Sequence, residues 1–264
     1  MAEKVLFRIR RQDDAAAPAR TEEFEVPWRA GLTVVGALEA IRRHPVSRTG
    51  QRVAPVAWES ACLEEVCGAC TMLINGRPRP ACSAFVEEIE RPVHLEPLSR
   101  FPVVRDLVVD RSRFFGDLRR VKAWIPIDGT REAGPGPLES PAAAAAREDL
   151  ARCIACGACA EGCPQYPTTR PAAGPGAAGP LPLDESPFVG PAALNLAYLA
   201  NLHPTGALHR DERLAAITAP GGIQCCGNAQ VCVEVCPKEI PLTTSIAALN
   251  RQATGFLIRR LLGA

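Results

Sequence analysis

Aromatic residues are scarce in this sequence, at 5% of 264 residues, and the charge is almost balanced, with a formal net charge of +1. Proteins that bind single-stranded nucleic acid use aromatic stacking platforms in basic grooves. A balanced charge also provides no general attraction to nucleic acid or to an anionic membrane surface. Composition therefore argues against a nucleic-acid-binding protein and against a protein held to membranes by its own charge.

Long apolar runs are lacking as well. No stretch approaches the roughly 18 uncharged apolar residues that a membrane-spanning helix needs, so we expect none. The first residues, MAEKVLFRIRRQDD, alternate charged and apolar side chains and have no apolar segment of the kind found in secretory signals. We therefore expect a reducing compartment, in which clustered cysteines bind metal rather than form disulfides.

The N-terminal part has the pattern of a small α+β domain. Residues 4–11 and 21–27 alternate apolar and polar side chains, which predicts a first β-hairpin. Residues 71–74, followed by Asn75 and Gly76, predict a second hairpin, because Asn-Gly suits a type I′ turn.

A helix and a last strand complete that pattern. Thr33 is a candidate N-cap, and residues 93–98 are expected to close the sheet. The apolar residues predicted on the inner face of the helix are Val34, Val35, Leu38 and Ile41.

The remainder of the chain is predicted to be helical. Residues 105–121 look helical, and Ser140 with Pro141 provides a helix start that leads to Cys153. Further helices are expected at 191–202, 206–218 and 241–262, with the cysteine motifs at helix ends. Segments 126–141 and 170–191 are rich in Pro and Gly and are expected to be connections, either flexible or ordered.

Twelve cysteines in three groups are the most informative feature. The first group is Cys62-x4-Cys67-x2-Cys70 with Cys82 further on, which is the spacing of a plant-type [2Fe–2S] loop. The small residues between the ligands let backbone N–H groups turn toward the sulfurs. A structural zinc site with four cysteines is the alternative, although zinc more often uses two separated Cys-x2-Cys pairs.

The second group has the spacing of a bacterial ferredoxin. It reads Cys-x2-Cys-x2-Cys-x3-Cys-Pro, and in two-cluster ferredoxins the fourth cysteine of such a run binds the other cluster. Its residues are Cys153, Cys156, Cys159, Cys163 and Pro164. The pattern therefore predicts a companion run.

The third group is that companion in altered form, because Ala229 stands where the second cysteine belongs. Exchanging the fourth ligands assigns the [4Fe–4S] cluster to Cys153, Cys156, Cys159 and Cys236. The second cluster is then left with three thiolates and is predicted to be [3Fe–4S], with the ligands Cys163, Cys226 and Cys232. Cys225 is the alternative to Cys226, but adjacent side chains point apart, so we expect it not to be a ligand.

Motifs for a substrate site are lacking: there is no GxGxxG after a strand, no P-loop, no GxSxG and no HExxH. The four histidines, His44, His94, His203 and His209, have no metal-ligand spacing to the cysteines. Three clusters in one chain predict an electron conduit whose chemical end points lie on other subunits.

The order of these three motifs resembles the iron–sulfur subunits of succinate dehydrogenase and fumarate reductase. The segments GGIQCCGNAQVCVEVCPKEIPLTTSIAALNR (221–251) and HPTGALHRDERL (203–214) are especially similar to the menaquinone-linked form of Gram-positive and some other bacteria. The resemblance covers nearly the whole chain. It implies a β-grasp ferredoxin domain at 1–110 and an α-helical ferredoxin domain at 111–264.

The resemblance also implies partners and an order of electron transfer. Electrons would come from succinate through a flavoprotein with covalent FAD, pass through [2Fe–2S], [4Fe–4S] and [3Fe–4S], and reach menaquinone at a diheme cytochrome b anchor. The enzyme would be succinate dehydrogenase (quinone), with this subunit held by the anchor on the cytoplasmic face of the bacterial plasma membrane. Fumarate reduction uses the same architecture in reverse, and the spacing does not fix the direction.

Quinone-proximal residues follow from the same resemblance. Ubiquinone-linked relatives have aromatic residues after the counterpart of Cys163 and a His after that of Cys226, whereas this chain lacks that Trp and that His. The corresponding residues here are Pro164, Gln165, Tyr166, Gly227 and Ala229. The difference agrees better with menaquinone and with quinone sites located mostly within the anchor.

Three further classes stay open at this point. One is a free ferredoxin-like carrier, and another is a zinc-stabilised structural protein. The third is the iron–sulfur subunit of a thiol-dependent fumarate reductase, which normally continues into a domain with paired CCG motifs. This chain has one CCG, at 225–227.

Overall fold

A computed structural model describes residues 3–125, 139–167 and 188–263. Within them the fold is α+β, with an N-terminal sheet and a helical C-terminal part, as the sequence predicts. Most of the two Pro/Gly connections, predicted at 126–141 and 170–191, lies outside the described residues.

Five strands form the main sheet, in the order β2-β1-β5-β3-β4. β1 and β2 pair antiparallel along their whole length, as the predicted hairpin requires, while β1 and β5 run parallel. Their bounds are Lys4–Arg11 for β1, Arg20–Pro27 for β2, Thr71–Ile74 for β3, Arg77–Pro80 for β4 and Val93–Glu96 for β5. Asn75 and Gly76, between β3 and β4, both have positive φ, at 48° and 77°, as a type I′ turn requires.

Helix α1, Val34–Arg43, packs on this sheet. The Thr33 side chain accepts a hydrogen bond from the Gly36 N–H and so caps the helix, as predicted. The four apolar residues predicted on its inner face are all buried. They share one hydrophobic core with Phe7, Phe24 and Leu95.

The segment predicted as a helix at 105–121 is divided, and that prediction is wrong in its first part. Two short antiparallel strands, β6 (Val103–Arg105) and β7 (Val108–Val109), precede α2, Ser112–Arg120. Asp106 makes the turn with φ at 46°. Its buried carboxylate accepts hydrogen bonds from Arg11 Nε (3.0 Å) and from the Ala57 N–H (2.8 Å). These partners are distant in sequence, so local pattern could not reveal the turn.

The later helices agree closely with prediction. Ser140 caps α3 by accepting from the Ala143 N–H, and α5 and α8 begin and end within a residue of the predicted bounds. The predicted helix 206–218 starts as a 3-10 turn, Gly206–His209, before α6. The helices are α3 Pro141–Ala151, α4 Ala158–Gly162, α5 Pro191–Leu202, α6 Arg210–Thr218, α7 Val231–Glu234 and α8 Leu242–Leu261.

The chain divides into two compact units. Among described residues, the first unit contains 3–111 and Ile154–Glu161, and the second contains the described parts of Ser112–Cys153, Gly162–Pro167 and 188–263. The second cysteine run is therefore shared, because Cys156 and Cys159 belong to the first unit. Within the described ranges, no helix is long and apolar enough to cross a membrane.

Candidate iron–sulfur cluster sites

The first cysteine group lies at one end of the β3–β4 hairpin. Cys62, Cys67 and Cys70 are in the loop between α1 and β3, and Cys82 follows β4. Thr71 pairs with Pro80, and the Ala81 N–H donates to the Cys70 carbonyl at 3.2 Å. The hairpin register therefore brings Cys70 and Cys82 to the same end of the sheet, beside the loop that carries the other two cysteines.

Backbone N–H groups converge on the sulfurs of this loop. Cys62 Sγ accepts from the amides of Glu64 (3.4 Å), Val66 (3.2 Å) and Cys67 (3.4 Å). Cys82 Sγ likewise accepts from the Glu65 amide at 3.3 Å. The Glu64 and Val66 amides lower the pKa of the Cys62 thiol to about 7. These amides therefore stabilise the thiolate of Cys62, the form of cysteine that binds iron.

Exposure differs across this group. Cys67 is exposed, whereas Cys70 and Cys82 are buried, and burial raises the pKa of Cys70 to about 11. Leu63 and Val66 in the same loop are 56% and 60% exposed. One side of the site therefore faces the interior of the unit, and the other reaches the surface next to apolar side chains.

Left-handed backbone recurs in all three cysteine segments. Leu63 and Glu65 in the first, Ala155 in the second, and Asn228 and Gln230 in the third have φ between 50° and 63°. Such conformations cost energy in residues with a Cβ and concentrate at functional sites. The sequence did not indicate them, since these residue types, Asn apart, do not favour positive φ.

The second and third runs lie at helix ends, as the sequence predicts, and each includes one short helix. Cys159 lies inside α4 and Cys163 follows that helix. In the same way Cys232 lies inside α7, and Cys236 follows. A methyl group added at Gly162, at the end of α4, would lie 3.1 Å from one side-chain carbon each of Val231 and Val235, so this end of α4 packs closely on α7.

Glu161 is a buried charged residue that sequence reasoning missed. It accepts a hydrogen bond from the Arg100 N–H at 2.9 Å and a short one from Ser99 Oγ. The sequence did contain a signal for these contacts. A charged residue inside a cysteine run must be either solvated or paired. Here it is paired and fixes α4 to the segment after β5.

The third site is a small pocket that opens to solvent, which we call the cavity of the third group. It is lined by Ala229 and by the three cysteines predicted to bind one cluster, Cys163, Cys226 and Cys232. Burial raises the pKa of Cys232 to about 11, and the nearby Cys163 and Cys226 add to that effect. The cavity lining, as far as the described chain goes, does not include Cys225.

The predicted quinone-proximal residues divide into two sets. Pro164, Gln165, Gly227 and Ala229 line the same cavity. Tyr166 is fully buried, and its hydroxyl donates to Asp117 Oδ2 at 2.8 Å, while the Arg113 guanidinium lies 4.6 Å from its ring centre. Burial also raises the pKa of Asp117. The Tyr166 side chain therefore anchors α2.

In the described part of the chain, no group of three or more His, Cys, Asp or Glu side chains is placed to hold a single metal ion. His44 and His94 are exposed, and His203 and His209 are partly exposed.

Comparisons with known proteins give the following relationships. Residues 6–116 match the family described as "2Fe-2S iron-sulfur cluster binding domain". The chain is 47% identical to the succinate dehydrogenase iron–sulfur subunit of Bacillus subtilis (strain 168), over 98% of this chain and 96% of that protein. It is 31% identical to a fumarate reductase iron–sulfur subunit of Escherichia coli O157:H7, over 84% and 82% of the two chains. The fold is similar to a chain of the Mycobacterium smegmatis Sdh1 complex in the apo form, with a TM-score of 0.73, 22% identity and 97% of both chains covered.

Proposed function

Because this chain belongs to the family of iron–sulfur subunits of succinate dehydrogenase and fumarate reductase, we propose that it carries electrons from a flavoprotein to a quinone-reducing membrane anchor. The observation that supports this most directly is the set of three cysteine constellations, one with converging backbone amides and one around a cavity. The physiological direction proposed is succinate oxidation, since the more similar of the two curated relatives described above is a succinate dehydrogenase subunit.

The proposed ligand sets follow the sequence motifs. Each cluster, when bound, would take up and release single electrons without moving a substrate atom. The proposed sets are Cys62, Cys67, Cys70 and Cys82 for [2Fe–2S], Cys153, Cys156, Cys159 and Cys236 for [4Fe–4S], and Cys163, Cys226 and Cys232 for [3Fe–4S]. The domains proposed to hold them are 1–110 and 111–264.

The residues around the sulfurs have distinct tasks in this proposal. The amides of Glu64 and Val66 offset negative charge on the Cys62 sulfur, which favours the charged, reduced form of a bound centre. Burial of Cys70 and Cys82 excludes water from the inner side. In the cavity of the third group, Ala229 has a methyl group where the ferredoxin template has a cysteine thiolate. The protein would therefore provide three ligands there instead of four.

Partners are assigned from surface chemistry and family. The exposed Leu63 and Val66 lie in the loop just before Cys67, and we assign this apolar surface to contact with an FAD-containing flavoprotein. The cavity of the third group is assigned to the side facing a diheme cytochrome b anchor and menaquinone. We further propose that the subunit lies at the cytoplasmic face of a bacterial plasma membrane.

One purification experiment tests this proposal. The chain, isolated from its native membranes with an affinity tag, should contain iron and acid-labile sulfide in the ratio of the three clusters. Flavin and heme b should co-purify, and succinate should reduce the iron–sulfur EPR signals. Zinc without sulfide would exclude the proposal. A fully loaded chain that purifies alone, without flavin or heme, would favour a free carrier.

A further inference from the structure

Gly68, between Cys67 and Cys70, is packed directly against a segment of the second cysteine run. A methyl group added at Gly68 would lie 2.7 Å from the Ile154 carbonyl oxygen and 2.8 Å from both Cα and Cβ of Cys156. Real Cβ atoms do not approach other atoms so closely, so only glycine permits this contact. Gly68 also has a φ of 71°, which side chains disfavour.

Arg111, which follows Gly68 by 43 residues in sequence, also holds the backbone of Gly68 and Ala69. Its Nη1 donates to the Gly68 carbonyl and its Nη2 to the Ala69 carbonyl, each at 3.0 Å. Thr71 Oγ1 adds a bond to the Gly68 carbonyl at 2.9 Å. A guanidinium that spans two successive carbonyls fixes both peptide orientation and position. Gly68, Arg111 and Cys156 all belong to the first compact unit.

The buried Nε of Arg111 has no hydrogen-bond partner among the described residues. Arg111 is therefore held by the two bonds from its Nη atoms to the loop carbonyls.

We propose that Gly68 and Arg111 are positioning residues that hold the first cysteine loop against Cys156 and thereby set the rate of electron transfer between the first two centres. This inference rests on the proposed function, because it requires both ligand sets. The Gly68 backbone provides a route of packed and bonded atoms from Cys67 to Cys156. In the step itself one electron leaves the first centre, oxidising it, and reduces the second, while no bond changes and no proton moves.

Gly68→Ala tests the close approach, and Gly76→Ala is its matched control. Gly76 has a similar φ of 77°, but a methyl group there would meet nothing within 4 Å. Both variants bear the same backbone strain, so a difference between them reports the contact with Cys156. In the purified complex with both centres reduced, Gly68→Ala should weaken the EPR spin–spin interaction between them. It should also slow transfer severalfold after rapid reduction, whereas Gly76→Ala should change neither.

Arg111→Gln and Arg111→Lys test the guanidinium clamp. Gln is too short to reach both carbonyls, and Lys keeps the charge but lacks the rigid planar fork that fixes both carbonyls at once. Spin–spin interaction should fall in both variants and further in Arg111→Gln, with iron and sulfide contents unchanged. Arg42→Gln, at an exposed arginine of α1, serves as the control.

The two proposals fail in distinguishable ways. If the unmodified complex lacks the three clusters, the proposed function is wrong. If that complex is fully loaded and Arg111→Gln, also fully loaded, keeps the original spin–spin interaction and transfer rate, the positioning role is wrong. Should Gly68→Ala fail to assemble, the two Arg111 variants decide the matter.

Discussion

Cys225 and Cys226 are adjacent, yet the structure places them differently. Cys226 lines the cavity shared with Cys163 and Cys232, whereas Cys225 is the last residue of a 3-10 turn, Ile223–Cys225, and is not part of that lining as described. We therefore expect Cys225→Ser to leave all three EPR signals in place. Cys226→Ser should abolish or strongly weaken the [3Fe–4S] signal, because an oxygen ligand holds iron less well than a thiolate. Loss of that signal in Cys225→Ser, with Cys226→Ser unaffected, would reverse the assignment.

Ala229 provides a second prediction at the scale of one side chain. It lines the cavity of the third group, and Ala229→Cys restores the four-cysteine template. A fourth iron should then bind, the EPR signal of the oxidised three-iron centre should disappear, and the reduction potential should fall, since potential depends on cluster type. Ala229→Ser, which is close in size to Cys but a poorer iron ligand, is the control. A three-iron spectrum in Ala229→Cys would mean that residue 229 does not face the vacant corner.

Helix α6 depends on one buried arginine. Arg213 is 1% exposed and donates to the carbonyls of Lys122 (3.0 Å), Trp124 (3.0 Å) and Gly206 (2.7 Å), as well as to Asn201 Oδ1 (3.0 Å). These bonds tie α6 to the chain after α2, to the end of α5 and to the 3-10 turn.

Arg213→Lys is therefore expected to destabilise the helical unit. Lysine lacks the planar fork and loses at least two of these bonds, at about 1.5–3 kcal/mol for each bond to a charged group. A loss of about 3 kcal/mol corresponds to a fall of roughly 6–12 °C in melting temperature for a chain of this size. Circular dichroism of the complex measures it, with the exposed Arg119→Lys as control. A melting temperature equal to that of the control would show that these bonds do not limit stability.

Elements with a strong local signal were predictable, and those made by distant contacts were not. The capping oxygens of Thr33 and Ser140 and the Asn75-Gly76 turn act within a few residues, so their residue types sufficed. The β6–β7 turn depends on Asp106 reaching Arg11, which is 95 residues away in sequence. For the same reason cysteine spacing indicated the ligand candidates, whereas the contact of Gly68 with Cys156 required the fold.

At the scale of the whole molecule, the surface around the cavity of the third group determines how the subunit would be retained at the membrane. Pro164, Gln165 and residues 227–230 are exposed, and none of them is charged. An uncharged surface binds a partner by packing and by hydrogen bonds, which salt hardly screens, whereas exposed charge pairs weaken at high ionic strength. The proposed docking on a membrane anchor should therefore not depend on salt.

Membranes washed in high salt should thus keep this subunit, and chaotropes or detergent should release it together with the flavoprotein. Gln165→Glu tests the surface itself. Docking would then bury a carboxylate without a partner, and burying an unpaired charge costs binding free energy. That variant should appear in the salt-wash supernatant, while Gln51→Glu, at an exposed position in the first unit, should stay on the membrane. Immunoblots of pellet and supernatant measure both. Release of the unmodified subunit by moderate salt, with the anchor left behind, would indicate electrostatic tethering and contradict docking through this uncharged surface.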